Sequence, residues 1–263
     1  MASTSNLWSR KELLIAFALY CRTPFGKMHR SNPEIIQLAS LLGRTPSSLA
    51  MKLVNFASLD PAITATGRVG LRAASKGDRA VWTEFHDDWE ALATESSCML
   101  ASIDGEGRAS QTSIESGEEE TLPNYEGRTK RVIAEVRVKQ SFFRRAVLSS
   151  YLGRCCMSQL AEPQLLIASH IIPWGEDKSN RLNPRNGLCL SALHDRAFDK
   201  GLITVATDFR VIVSNRLKKN AANSFIGNAI AQIENKLIHL PEKFAPELEF
   251  LEWHYKHRFE INQ

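Results

Sequence analysis

The amino-acid sequence predicts an α+β protein of two domains, and three observations carry that expectation. Residues 6 to about 92 place their apolar side chains at helical spacing. A Ser-, Gly- and Glu-rich stretch then breaks the pattern over 93–127, with Gly117 followed by Glu118, Glu119 and Glu120. Beyond it, short apolar runs, a long polar loop and an amphipathic segment succeed one another between Cys155 and Asp199. At 263 residues the chain is long enough for two modest cores. The expected domains are 1–92 and 128–263, joined by a flexible acidic linker over 93–127.

Taken in order, Trp8 to Cys21 reads as a helix with Ser9 as its cap and Leu13, Leu14, Phe17, Ala18 and Cys21 as its apolar stripe. Asn32 can cap a helix that starts at Pro33, and Gly43 ends it. Thr45 can cap the next helix, with Pro46 in its first turn and Leu49, Leu53, Val54 and Phe56 on one side. Two helices joined by a short Gly-containing turn read as a helix-turn-helix, with small Ala39 and turn-forming Gly43 where DNA binders of that type want them. The second helix of such a unit enters the major groove, which makes Arg44, Ser47, Ser48, Lys52 and Asn55 the candidate DNA contacts. Ala62 to Leu71 suggests a short strand-turn-strand wing with Gly67 at its tip, so the first domain reads as winged-helix-like. A helix through Ala80 to Leu92 closes it. Its Trp82, Phe85 and Trp89 form either a core or an aromatic face for a flipped base.

In the second domain, Val132, Ala134, Val136 and Val138 alternate with other residues and suggest a strand. Ser141 to Leu152 then suggests a helix, with Arg137, Arg144 and Arg145 as candidate phosphate contacts. Cys155 to Leu160 and Gln164 to Ile172 suggest a β-hairpin that brings His170 near a strand end. A loop rich in breakers follows, then Gly187 to Leu190 and a helix from about Ser191. That order can fold His170, Asn186 and His194 onto one site. Leu202–Ala206 and Arg210–Ser214 suggest a second hairpin, and the chain ends in a helix from about Pro246 to Phe259. His254 and His257 lie three apart on it, a spacing seen both in metal sites and on ordinary helix surfaces.

Fifteen residues separate His170 from Asn186, and seven separate Asn186 from His194. With Ser169 to Trp174 (Ser-His-Ile-Ile-Pro-Trp), Asn186 to Leu190 and Leu193 to Asp199, this resembles the HNH endonucleases. The resemblance extends through Gln140 to Arg145, Arg154-Cys155 and Phe250 to His254, over roughly residues 125–260. It implies a ββα-metal nuclease core that hydrolyses phosphodiester bonds around one divalent metal ion, most simply Mg²⁺ or Mn²⁺. By that resemblance His170 is the base, His194 a metal ligand, Asn186 a ligand or the brace of the loop, and Asp199 a second ligand. Asp199 stands five positions after His194, which is not the same helix face. Many family members carry Asp or His immediately before the first histidine, where this chain has Ser169, leaving more of the metal shell to DNA phosphate and water. Cys155, Cys156 and Cys189 lack paired CxxC spacing, so no structural zinc is expected. The architecture resembles prokaryotic restriction enzymes, including those directed to modified bases. The competing readings are a DNA-binding regulator with an inactive HNH fold and an unspecific DNA or RNA nuclease.

The net charge of +4 is strongly segregated: +3 over 1–92, −7 over 93–127, +7 over 128–160 and +1 over 161–263. A basic block beside the proposed core fits double-stranded DNA as the partner. Irregularly placed cysteines and the lack of a charged-then-apolar leader point to the cytoplasm. The longest apolar runs are too short for a bilayer, so no membrane partner is expected. A homodimer is the simplest way for single sites to cut both strands.

Overall fold

Ser9 opens the first helix with a complete capping box: its hydroxyl accepts from the Glu12 amide, and the Glu12 carboxylate accepts from the Ser9 amide at 2.7 Å. The helix, α1 (Arg10–Arg22), is buried on every side from Leu13 to Cys21, which makes it the centre of the N-terminal unit. Around it lie α2 (Pro33–Leu41), α3 (Pro46–Ala57), α4 (Pro61–Ala65), α5 (Lys76–His86) and α6 (Trp89–Asp104). These observations come from a computed structural model that describes residues 7–65, 67, 74–86, 88–104, 127–220 and 222–259. The chain divides into two compact units, Met1–Phe142 and Phe143–Gln263.

Local chemistry sets the ends of α2 and α3 as read from sequence. Asn32 accepts from the Glu34 amide, Thr45 caps α3, and Gly43 takes φ of +62° at the turn. Phe17 meets Phe56, Trp82 and Trp89 at centroid separations of 5.0, 5.4 and 6.3 Å. The aromatic spacing over 82–89 is therefore core packing. Two expectations are corrected in this unit. Ala62 to Ala65, expected as the first strand of a wing, are helical in α4, and residues 66 and 68–71 of that wing lie outside the described residues. Residues 93–104, assigned to the linker by composition, continue α6 as a helix, and 105–126 lie outside the described residues.

The helix α7 (Gly127–Ser150) replaces the strand expected over Val132 to Val138. Alternation alone does not make a strand, which needs a partner for its backbone groups, whereas a helix satisfies its own. Val136 and Val138 are exposed, so nothing packs their alternation into a sheet. The hairpin is corrected too. Cys155 to Leu160 form a tight turn, with the Cys155 amide on the Leu160 carbonyl and Gln159 at φ of +61°. The strand β1 (Leu166–His170) instead pairs antiparallel with β2 (Gly187–Ser191), from Leu166 opposite Ser191 to His170 opposite Gly187. Gly187 is required there: a Cβ would stand 2.4 Å from Val147 Cγ2 and 3.0 Å from the Phe143 ring.

After β2 comes α8 (Ala192–Asp199), then the expected second hairpin, β3 (Ile203–Val205) with β4 (Val211–Val213). Two short helices, α9 (Asn215–Lys219) and α10 (Ser224–Ala229), precede α11 (Leu248–His254), which continues as a π-helical turn over Tyr255–Phe259. His254 ties α8, β3 and α11 together. Its ring stacks on Phe198 at 3.6 Å, its Nε2–H donates to the Phe198 carbonyl at 3.1 Å, and Nδ1 accepts from the Thr204 hydroxyl at 2.8 Å. His254 is thus a core residue, while exposed His257 bonds the Trp253 carbonyl.

Burial, helped by nearby Arg258 and opposed by the Phe198 carbonyl, pushes the His254 pKa down from 6.5 to about 4. Because the folded value is depressed, the unfolded chain takes up the proton first as pH falls. The stabilisation is complete above pH 6.5 and is lost as pH drops through about 4. Denaturant melts across that window should show a loss approaching ~3 kcal/mol. The same melts on His254→Gln should lack that contribution, and an unchanged slope would assign the acid sensitivity elsewhere.

Candidate active site

The loop between β1 and β2 is built on one amide side chain. Asn186 is 0% exposed; its Oδ1 accepts from the Ile172 amide at 2.8 Å, and its Nδ2 donates to the Ile172 and Asn180 carbonyls at 3.0 and 3.2 Å. Its own backbone closes the same loop, with the Ile171 amide on the Asn186 carbonyl and the Asn186 amide on the Asn183 carbonyl. Asp177 holds the outer turn through the amides of Ser179 and Asn180. The Asn186 amide is sealed in the core with its oxygen and nitrogen both on backbone groups, the geometry of a side chain that braces the loop.

That loop fixes His170. The Arg181 carbonyl lies 2.9 Å from His170 Nε2, and a carbonyl only accepts, so Nε2 carries the proton and Nδ1 keeps its lone pair. The imidazole stacks on Phe143 at 3.9 Å and 8° and meets the edge of Trp174 at 5.7 Å. Burial lowers its pKa against the opposing pull of the Arg181 carbonyl and the Asp199 charge, so the ring is neutral at pH 7. A neutral imidazole with one free lone pair is what a general base needs.

On α8 the structure separates residues that the sequence grouped. His194 is 3% exposed and spends both nitrogens on the protein interior. Nε2 donates to the Ala229 carbonyl at 2.9 Å, and Nδ1 lies 3.0 Å from the Ser191 hydroxyl and 3.4 Å from Cys155 Sγ. Burial opposes its charge, but the Cys155 thiol and the Ala229 carbonyl outweigh burial and raise its pKa. The Cys155 thiol is in turn lowered to about 6: burial acts against the thiolate, and bonds from His194 and Ser158 outweigh it. In this arrangement His194 anchors the start of α8 to the core through Ala229, Ser191 and Cys155.

The next residue faces the site instead. Asp195 and Asp199 are four apart, which places them one above the other on α8. Asp199 is exposed, and its charge is felt both at His170 and at Asp195. Asp195 is half-buried with its pKa raised, first by burial and then by Asp199, while Ser169 and Arg196 oppose the rise. Ser169, 3% exposed, brings its hydroxyl close enough to act on Asp195, yet makes no hydrogen bond of normal geometry. Ser169 therefore lies against Asp195, and the Asp199 charge reaches both Asp195 and His170. Asp195 was not singled out from the sequence, although it stands four positions before Asp199.

The other predicted residues divide by what they already hold. Arg44 pairs with Glu12 at 2.7 Å and lies over the Trp8 ring. Lys52 pairs with buried Asp78 at 2.9 Å, and Asn55, buried, bonds the same carboxylate, so Asn55 as a base contact is corrected. Ser47 is exposed and Ser48 half-buried on α3. Arg137 and Arg145 are exposed, and Arg144 is exposed while donating to the Leu166 carbonyl at 2.9 Å.

Residues 155–206 match a family model described as HNH endonuclease, a span that contains β1, β2, α8 and the residues Ser169, His170, Asp195 and Asp199. The match supports nuclease as the class of activity of this segment. No curated protein matches the chain. Among the described residues, no helix is long and apolar enough to cross a membrane.

The two faces of α8 should respond differently to substitution. His194→Ala removes a buried ring and leaves the Ala229 carbonyl unpaired, for an expected loss of roughly 2–4 kcal/mol in denaturant melts. Asp199→Asn, on the exposed face, should stay within about 0.5 kcal/mol. The reverse ranking would return His194 to the site.

Proposed function

We propose that this protein is a metal-dependent DNA endonuclease whose base is His170 and whose metal ligands are Asp195 and Asp199. The observation that carries the reading is His170 held with Nδ1 unprotonated within reach of the Asp199 charge, with Asp195 one helical turn before Asp199. Hard divalent cations such as Mg²⁺ and Mn²⁺ take oxygen ligands, and the two carboxylates with the orphaned Ser169 hydroxyl fit that demand. Among the described residues no three His, Cys, Asp or Glu side chains converge, so DNA phosphate and water complete the shell. A cation there supplies charge stabilisation to the phosphate and to the leaving oxygen. His170 Nδ1 takes the proton of a water as its oxygen bonds phosphorus. The P–O3′ bond breaks, and solvent water protonates the departing O3′.

The basic block over 128–160 supports a polyanionic substrate. The N-terminal helix-turn-helix supports duplex DNA, with Ser47 and Ser48 of α3 as the candidate reading residues. In this reading the N-terminal unit is the DNA reader and the C-terminal unit the cutter, with a homodimer for double-strand cleavage. That arrangement supports a restriction role, including one directed to modified DNA. A regulator with an inactive nuclease fold is favoured by one observation, Ser169 where many family members carry an acid.

Plasmid DNA, unmodified or cytosine-modified, incubated with Mg²⁺, Mn²⁺ or chelator decides between them. Metal-dependent cleavage, abolished in His170→Ala and weakened at limiting metal in Asp195→Asn and Asp199→Asn, is the expected result. Cleavage of modified DNA alone would establish the modification-directed role. DNA binding with no cleavage under any metal would establish the regulator. Because burial lowers the His170 pKa, the base is competent below the usual 6.5, so the acidic limb of kcat/KM should lie below that value. A limb above 6.5 would remove His170 from the role.

A further inference from the structure

We propose that Arg181 is a further catalytic residue that grips the scissile phosphate beside His170; this rests on the nuclease reading above. Arg181 is fixed at both ends of the residue. Its carbonyl receives the His170 Nε2 proton at 2.9 Å, and its own Nε donates to the Trp174 carbonyl at 2.8 Å. The guanidinium lies over the Trp174 ring, 5.3 Å from the centroid, and Trp174 in turn stands edge-on to His170. The side chain is therefore immobilised within the loop that orients the base.

What it lacks is an anion. Neither Nη makes a hydrogen bond or ion pair with the described residues, although the residue is half-buried. Other arginines of this unit have found carboxylates: Arg185 with Glu247, Arg210 with Asp208 and Arg258 with Glu176. Of the two acids within the Arg181 loop, Glu176 pairs with Arg258, and Asp177 is committed to the amides of Ser179 and Asn180 and to the Asn180 side chain. A rigid guanidinium with two unspent nitrogens matches the paired non-bridging oxygens of a phosphate. Held before substrate arrives, it needs no reorganisation as charge builds on the phosphate.

The test compares the wild-type protein with Arg181→Ala and Arg181→Lys on duplex DNA. Single-turnover cleavage with Mg²⁺ or Mn²⁺, binding in chelator at several salt concentrations, and thermal melts are measured together. Arg181→Ala should slow cleavage by about 10²-fold or more, and Arg181→Lys should recover only part of it because an ammonium cannot form the fork. The salt slope of binding should fall by about one in Arg181→Ala, a readout that a purely structural role would not move. Added guanidinium ion at low concentration should partly restore the alanine variant. Cleavage within about threefold of wild type, or a slowing that tracks a lowered melting temperature with the salt slope unchanged, would overturn the role while leaving the nuclease intact. Wild-type protein that cleaves nothing under either metal would overturn the nuclease reading and this role with it.

Discussion

The site depends on the burial of one amide. Asn186 meets three backbone groups on the far side of a loop of fifteen residues, and both its donor and its acceptor are needed. Each bond contributes only about 1 kcal/mol net, but removing the amide strands buried carbonyls and an N–H with no water to replace it. A carboxylate cannot substitute, since it cannot donate to Ile172 and Asn180. The consequence runs outward in steps. The closed loop places the Arg181 carbonyl, the carbonyl fixes the His170 tautomer, and the tautomer leaves the Nδ1 lone pair free. An asparagine with no reach to solvent thus sets the state of a half-buried imidazole.

The helix α8 works by dividing its residues between two environments. His194 faces the interior, against the Cys155 sulfur, the Ser191 hydroxyl and a backbone carbonyl. One position on, Asp195 meets Ser169 of β1, and Asp199 follows one turn later. A helix advances about 100° per residue, so adjacent side chains cannot share a site while residues four apart can. His254 holds the other end of α8 through the Phe198 carbonyl and ring, next to Asp199. The acidic pair is thus presented by a helix pinned at both ends.

Much of this was legible where the signal is local. Ser9, Asn32 and Thr45 cap the helices they were assigned to, because capping needs only a side-chain oxygen and the next few amides. His170 was placed at a strand end and Asn186 before an apolar run, which the structure shows to be β2, the partner of β1. What escaped was set by partners distant in sequence. Cys155 to Leu160 have strand-like composition, but β2 occupies the pairing edge of β1. The valines over 132–138 alternate, yet no strand pairs with them among the described residues. Asn55 and Lys52 look like groove contacts on α3 until Asp78, from α5, takes both.

The placement of His194 has a more general cause. Motif reading treats a histidine in a nuclease-like pattern as a ligand because of its chemistry, but a helix assigns function by phase. Ser169 sharpens the point: a hydroxyl is a weak ligand alone, and a site relying on it would need carboxylates from elsewhere. The Asp195 pKa is raised chiefly by burial and further by Asp199, so bringing these two acids together has an electrostatic cost in the folded chain. The Ser169 hydroxyl close by satisfies no partner with normal geometry. Two repelling carboxylates and an orphaned hydroxyl beside a neutral imidazole are poorly explained as packing, since each could be replaced by an apolar or smaller residue without loss of the core. In the proposed reading a divalent cation would relieve both the repulsion and the orphaned oxygen at once. The features least favourable to stability in this unit are therefore the ones that argue most directly for its chemistry.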